Sequence, residues 1–261
     1  AYLALNAAAS LYSEFGNSAP HELAKILAAF GCYGIILFRA RREDHKRLAA
    51  ATAAALAVLA LLSIDASSLK ALSTPVVDLL TGMGCDFSEF NIGYEEGVRV
   101  TGILGNANIL AGMLGLGVFL SLYLVQDAST RRGQVGACFL LGINTLCFLL
   151  NFSMGAIAMF FVAVLIYLLA ARKGTRLTLF VLMVETAVIT VLMAFLSFQG
   201  LGGSGAVAAI PLAAAFLGGA LIWAVHQFLG ARIAAALGRR VKLTAIVVAA
   251  LIVVIAGYLV L

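Results

Sequence analysis

Charge is scarce in this sequence: aspartate, glutamate, lysine and arginine together make up 11% of its 261 residues. Soluble domains carry about 25% charged and about 45–50% apolar residues. Here 63% are hydrophobic, more apolar surface than a water-soluble core of this length can hide. The shortage of charge excludes an ordinary soluble domain and leaves a multi-span membrane protein. Cysteine is scarce as well. Cys32, Cys138 and Cys147 fall inside apolar runs and Cys85 lies in a polar link, so the four cysteines make no disulfide framework. No CxxC pair or Cys/His cluster has metal-ligand spacing, and neither a metal nor another cofactor is expected.

The net charge of +5 does not point to nucleic acid, because the basic residues are not gathered on one face or one helix. They stand between apolar runs. About 20 helical residues, rising about 1.5 Å each, cross a hydrocarbon core of about 30 Å. On that ruler the chain has eight expected spans, near 22–39, 47–64, 101–125, 134–152, 154–171, 177–198, 205–229 and 242–261. The whole chain, 1–261, therefore reads as one transmembrane helical domain, an all-α polytopic bundle. It opens AYLALNAAAS, without methionine or a basic region, and closes inside the apolar run VKLTAIVVAALIVVIAGYLVL. Those ends are expected of an excerpt from a larger bundle.

The links RARREDHKR, ASTRRGQ, ARKGTR and ARIAAALGRRVK hold 14 of the 17 basic residues, and all four fall on one side if every run crosses once. That side is expected to be the cytoplasm. The opposite links carry Asp65, Asp78, Asp86, Glu89, Glu95 and Glu96. The longest of them, 65–100, contains SSLKALSTPVVDLLTG. Its leucines and valines fit a short helix on the membrane surface, bent near Pro75, or an amphipathic cap over the bundle.

Polar residues stand at the threshold of the third complete span, in RVTGILGNANILAGMLGLG from Arg99. On a continuous helix Arg99, Gly102 and Asn106 share one face and Asn108 points nearly the opposite way, with Gly102 and Gly105 able to loosen the first turn. A helix N-terminus with an arginine beside it suits an anionic phosphate. Headgroup anchoring by the arginine and helix bracing by the asparagines explain the same residues.

The stretch RVTGILGNANILA, Arg99 to Ala111, resembles the O-antigen ligase and polymerase membrane family. That family's signature is an arginine, a glycine three residues on, then N-P-N and an alanine opening a membrane helix. Arg99, Gly102, Asn106, Asn108 and Ala111 match, and Ala107 replaces the proline. A second mark, T-x-S-R-G-A, corresponds to NFSMGA: Ser153, Gly155 and Ala156 match, while Asn151 and Met154 replace threonine and arginine. The resemblance implies a bacterial cytoplasmic-membrane enzyme that moves a glycan from undecaprenyl diphosphate to a sugar hydroxyl at the outer face, without a metal. Its partners are then a lipid-linked glycan donor, a glycan or lipid acceptor and membrane lipids. Arg99 and Glu95 take the catalytic roles, with Glu96 as an alternative base, and Asn106, Asn108 and Ser153 bind the donor. Solvated loop carboxylates and a serine helix cap are the plain alternatives. Met154 brings no charge to the place where the family's arginine helps hold the diphosphate. The family's large outer loop, with its arginine or histidine, is expected beyond Leu261.

Two ionisable residues remain in apolar surroundings. Glu185 sits mid-span in FVLMVETAVITVLM, where it must face other helices, bond a neighbour or stay protonated. His226, in IWAVHQFLG near the cytoplasmic end, fits an interfacial histidine beside Trp223. Glu185 keeps open a rival class, a transporter or flippase for a lipid-linked or anionic substrate. Met154 keeps open a third, a family member without transferase activity. Ala111 with Gly115, and Ala215 with Gly219, have the spacing of close helix contacts.

Overall fold

The computed structural model describes residues 41–85, 87, 92–95, 99–172, 174–230 and 232–233. The expected spans at 22–39 and 242–261, together with Asp86, Glu89 and Glu96, lie outside the described residues. The chain divides into two compact units, 1–48 and 49–261, and the packing below is that of the second.

Helix α1, Arg42–Ala66, begins in the first unit and runs into the second. Ala49, Ala53, Ala57, Ala60 and Ile64 form its buried face. These recur at the three- and four-residue steps that align side chains on a helix, and their small size lets a neighbour come close. Asn144 crosses to this face, its Nδ2 donating to the Ala53 carbonyl at 3.3 Å.

Helix α2, Ser73–Gly82, is the short helix expected within the 65–100 link. It runs through Pro75 without interruption. The proline occupies the first turn, where its missing N–H has no intrahelical partner to lose. Leu72, Leu79 and Met83 are exposed along this segment.

The third expected span starts later than the apolar run suggests. Arg99–Gly102 is a strand, β2, paired antiparallel with β1, Gly93–Glu95. Glycine ends the strand and opens the turn: Gly102 and Gly105 have φ of 63° and 61°, a left-handed conformation that most L-residues avoid. Helix α3 begins only at Ala107 and runs to Asp127. The helical face expected to join Arg99, Gly102 and Asn106 therefore does not exist.

Four further helices follow: α4, Arg131–Leu150; α5, Met154–Ala170; α6, Arg176–Ser197; and α7, Ile210–Val225. A 3-10 turn, Gly205–Ala209, leads into α7 and a π turn, His226–Gly230, extends it. Helix α4 packs against α3, α6 and α7. It meets α7 glycine to glycine. A methyl group placed on Gly142 would lie 2.6 Å from the Gly219 nitrogen, and one on Gly219 would lie 2.7 Å from the Phe139 Cα. Phe160 of α5 joins Phe119 of α3 and Phe148 of α4, with ring centroids 5.1 and 4.8 Å apart.

Among the described residues, five helices are long and apolar enough to cross a membrane: Asp44–Ala66, Ala107–Asp127, Arg131–Leu150, Arg176–Ser197 and Gly205–Gly230. The Met154–Ala170 helix is apolar but shorter. Val184, Val188, Leu192 and Phe195 of α6, with Met159, Val162, Ile166 and Leu169 of α5, are exposed. Apolar side chains on the outside as well as the inside are what a lipid solvent requires. Among the described residues the regular structure is helical apart from the small ribbon, and the five long apolar helices are those of a multi-pass membrane protein.

Candidate functional site

The acid-rich links meet at one end of the helices, and there the two motif stretches come together. Asn151 ends α4 fully buried, and its Nδ2 donates to the Val100 carbonyl at 2.8 Å. Ser153 Oγ donates to Asn108 Oδ1 at 2.7 Å. These two bonds tie the α4–α5 turn to β2 and to the start of α3. Between them Phe152 adopts φ of 49°, and its ring stacks on Phe198 with centroids 5.5 Å apart. Gly102 closes against α1: a methyl group there would collide with the Ser63 side chain.

Apart from Glu96, which lies outside the described residues, the backbone of each predicted site residue can be placed. Arg99 is half-buried at the start of β2, not on a helix. Its backbone register partner is Glu95 on β1. Asn106 caps α3, its Oδ1 accepting from the backbone N–H groups of Asn108 and Ile109 at 3.0 and 3.1 Å. The Leu110 N–H donates to the Asn106 carbonyl. The protein's own asparagine thus takes N–H groups of the first turn that a phosphate would use, which corrects the expected anion seat at this helix start. Asn108 bonds Ser153 rather than standing apart on the far face. Ser153 also caps α5, accepting from the Ala156 N–H at 3.4 Å. Met154 opens α5 and is exposed.

Asp65, read from the sequence as one of several loop acids, proves to be buried structure. Its carboxylate accepts from the backbone N–H groups of Ala71, Leu72 and Ser73 at 3.2, 2.8 and 2.7 Å and from Ser73 Oγ at 2.8 Å. It caps α2 from the end of α1. Ser67 and Thr101 both donate to the Gly93 carbonyl, and the Gly202 N–H donates to the Ser67 carbonyl. The whole acid-rich end is therefore cross-linked through backbone groups, with Arg99 at its edge.

A second polar cluster lies toward the other end. Glu185 of α6 is buried and does find a neighbour: its Oε2 is 3.1 Å from His226 Nδ1. In sequence the two residues lie in separate apolar runs, and nothing local signals a pairing across 41 positions. Arg131 at the start of α4 lies over the Trp223 ring, 5.2 Å from its centroid.

Comparison with protein-family models, with curated proteins and with solved structures finds no match to this chain.

Proposed function

We propose that this chain is the donor-side scaffold of a multi-pass glycosyltransferase of the O-antigen ligase and polymerase kind, working at the outer face of a bacterial cytoplasmic membrane. It takes a glycan from an undecaprenyl-diphosphate carrier and passes it to a sugar hydroxyl. The observation that carries this reading is the pair of bonds Ser153–Asn108 and Asn151–Val100, which unite two separate motif stretches beside Arg99.

The diphosphate is a good leaving group once its growing charge is met, so the reaction asks for a cation rather than a metal. Arg99 supplies a planar fork of donors matched to phosphate oxygens. Glu95, opposite it in the ribbon, serves as the base that takes the acceptor hydroxyl proton. Asn106, Asn108 and Ser153 act by holding the ribbon and the two helix starts in place. With Met154 in place of the family's arginine, Arg99 carries the diphosphate on this part of the chain. The basic links face the cytoplasm in this arrangement, and a bundle of about eight spans surrounds the site.

The test is glycan transfer by the full-length protein in membranes supplied with a lipid-linked donor. Arg99→Ala should lower transfer about 100-fold or more, the usual loss when a donor to developing charge is removed. Arg99→Lys should recover only part of it. Unchanged transfer in a folded Arg99→Ala protein would overturn the proposal and leave transport of a lipid-linked or anionic substrate as the function to pursue.

A further inference from the structure

The Glu185–His226 pair takes no part in the chemistry assigned to Arg99. We propose that it is an intramembrane proton-binding site, loaded and emptied from the end of the protein that carries the basic links. The proposal does not depend on glycan transfer, and the outcome at Arg99 does not bear on it.

The pair is enclosed: the histidine and glutamate side chains are 13% and 7% exposed. Glu185 Oε1 is buried with no hydrogen-bond partner among the described residues. A buried polar atom without a hydrogen-bond partner is costly. An imidazole at hydrogen-bond distance from Oε2 lets the two groups share one proton and remain neutral together. With the proton on the carboxyl, Oε2–H donates to Nδ1. With it on the ring of an imidazolium, Nδ1–H donates to Oε2. The transfer breaks one N–H bond and forms one O–H bond, with no change in net charge. Release of that proton leaves a carboxylate beside a neutral ring, and uptake of a second leaves an imidazolium beside a neutral carboxyl.

The local backbone is shaped around the pair. His226 opens the π turn that ends at Gly230, and such turns concentrate at functional sites. A methyl group on Gly230 would lie 2.7 Å from His226 Nδ1 and 3.2 Å from Glu185 Oε1. The turn therefore delivers a residue without a side chain to the one place where a side chain would push the partners apart. Cys138 of α4 lies within electrostatic range of Glu185. Arg131 of α4 stands over Trp223, one helical turn before His226. Tyr167 of α5 turns to Phe119 of α3, and Arg176 at the start of α6 bonds the Ala171 and Leu169 carbonyls.

Access is on the His226 side. The next two residues, Gln227 and Phe228, line a cavity of about 430 Å³ with Thr130, Arg131 and Gln134. That space holds several waters, each needing about 30 Å³. It lies between the α3–α4 link and the end of α7, both at the basic end. Neither His226 nor Glu185 lines that cavity, and His226 is the member of the pair next to it in the chain, through Gln227.

The experiment follows the carboxyl C=O stretch by infrared difference spectroscopy on the full-length protein in lipid nanodiscs as the pH is varied. A band that grows as pH falls and is absent in Glu185→Gln is expected. In His226→Gln its midpoint should move by about 1 pH unit or more, because the apparent values belong to the pair. Gly230→Ala, which displaces the ring, should reproduce that movement. Nitrogen NMR of His226 in the unmutated protein should report the same midpoints and needs no variant to fold. In oriented vesicles the band should answer to pH on the basic-link side alone. A band that persists in folded Glu185→Gln, a midpoint indifferent to His226, a histidine that titrates independently, or a response to the opposite side would each overturn the proposal.

Discussion

Asp65 is the most densely bonded side chain at the acid-rich end, and its bonds go to three backbone N–H groups and a serine hydroxyl. Removing the acceptor strands the buried Ser73 N–H and hydroxyl, while the N–H groups of the exposed Ala71 and Leu72 turn to water; a stranded buried donor costs more than its bond contributes net. Asp65→Ala should lower stability by about 1–3 kcal/mol, read as thermal unfolding in detergent, and Asp65→Asn should lose less. Asn151→Ala should cost a similar amount, since the Val100 carbonyl loses its side-chain donor. A midpoint unchanged in either alanine variant would contradict these assignments. Residues of this sort were only partly legible. Asparagine just before an apolar run is a recognised helix-start signal, so Asn106 as a cap could have been read directly from GNANIL. The reach of Asp65 to Ser73 could not, because it depends on how the chain turns between α1 and α2.

At the level of elements, hydrophobic runs located the described helices well. Apolar length is a physical requirement of spanning lipid, and composition alone reports it. The run from Val100 misplaced the start of α3 because a β-branched strand and a helix are equally apolar over so short a distance. Two left-handed glycines decide the matter, and they give the ribbon its turn. Small-residue spacing correctly marked Ala215 and Gly219 as contact positions; both are buried. The α4–α7 crossing is correspondingly intolerant of bulk. Gly219→Leu should force the helices apart and lower the unfolding temperature more than Gly136→Leu, since a methyl group on Gly136 meets nothing within 4 Å. Equal effects of the two substitutions would show that the crossing is looser than its backbone spacing requires.

For the molecule as a whole, sidedness is the property that the basic links predict and that labelling can test. Cys85 is exposed next to α2, whereas Cys138 and Cys147 are buried inside α4. A membrane-impermeant maleimide should label Cys85 in intact spheroplasts and leave Cys138 and Cys147 unmodified. Labelling of Cys85 only after lysis would invert the orientation and move the Arg99 site to the cytoplasmic face. The proposed transfer reaction could not then take place at the outer surface. The pairing of Glu185 with His226 belongs to this scale too. Each residue is locally unremarkable in sequence, and only the packing of α6 on α7 makes them a unit.

The glycine-lined contact between α4 and α7 has a consequence for how the protein is made. Synthesis delivers α4 before α7, with the whole of α5 and α6 in between. Throughout that interval Gly142 lacks the Gly219 backbone that meets it in the finished fold. Ribosome pausing or truncation before Ile210 would prolong the interval and leave an open seat for a foreign helix, so quality control of this protein in the cell must watch over α4.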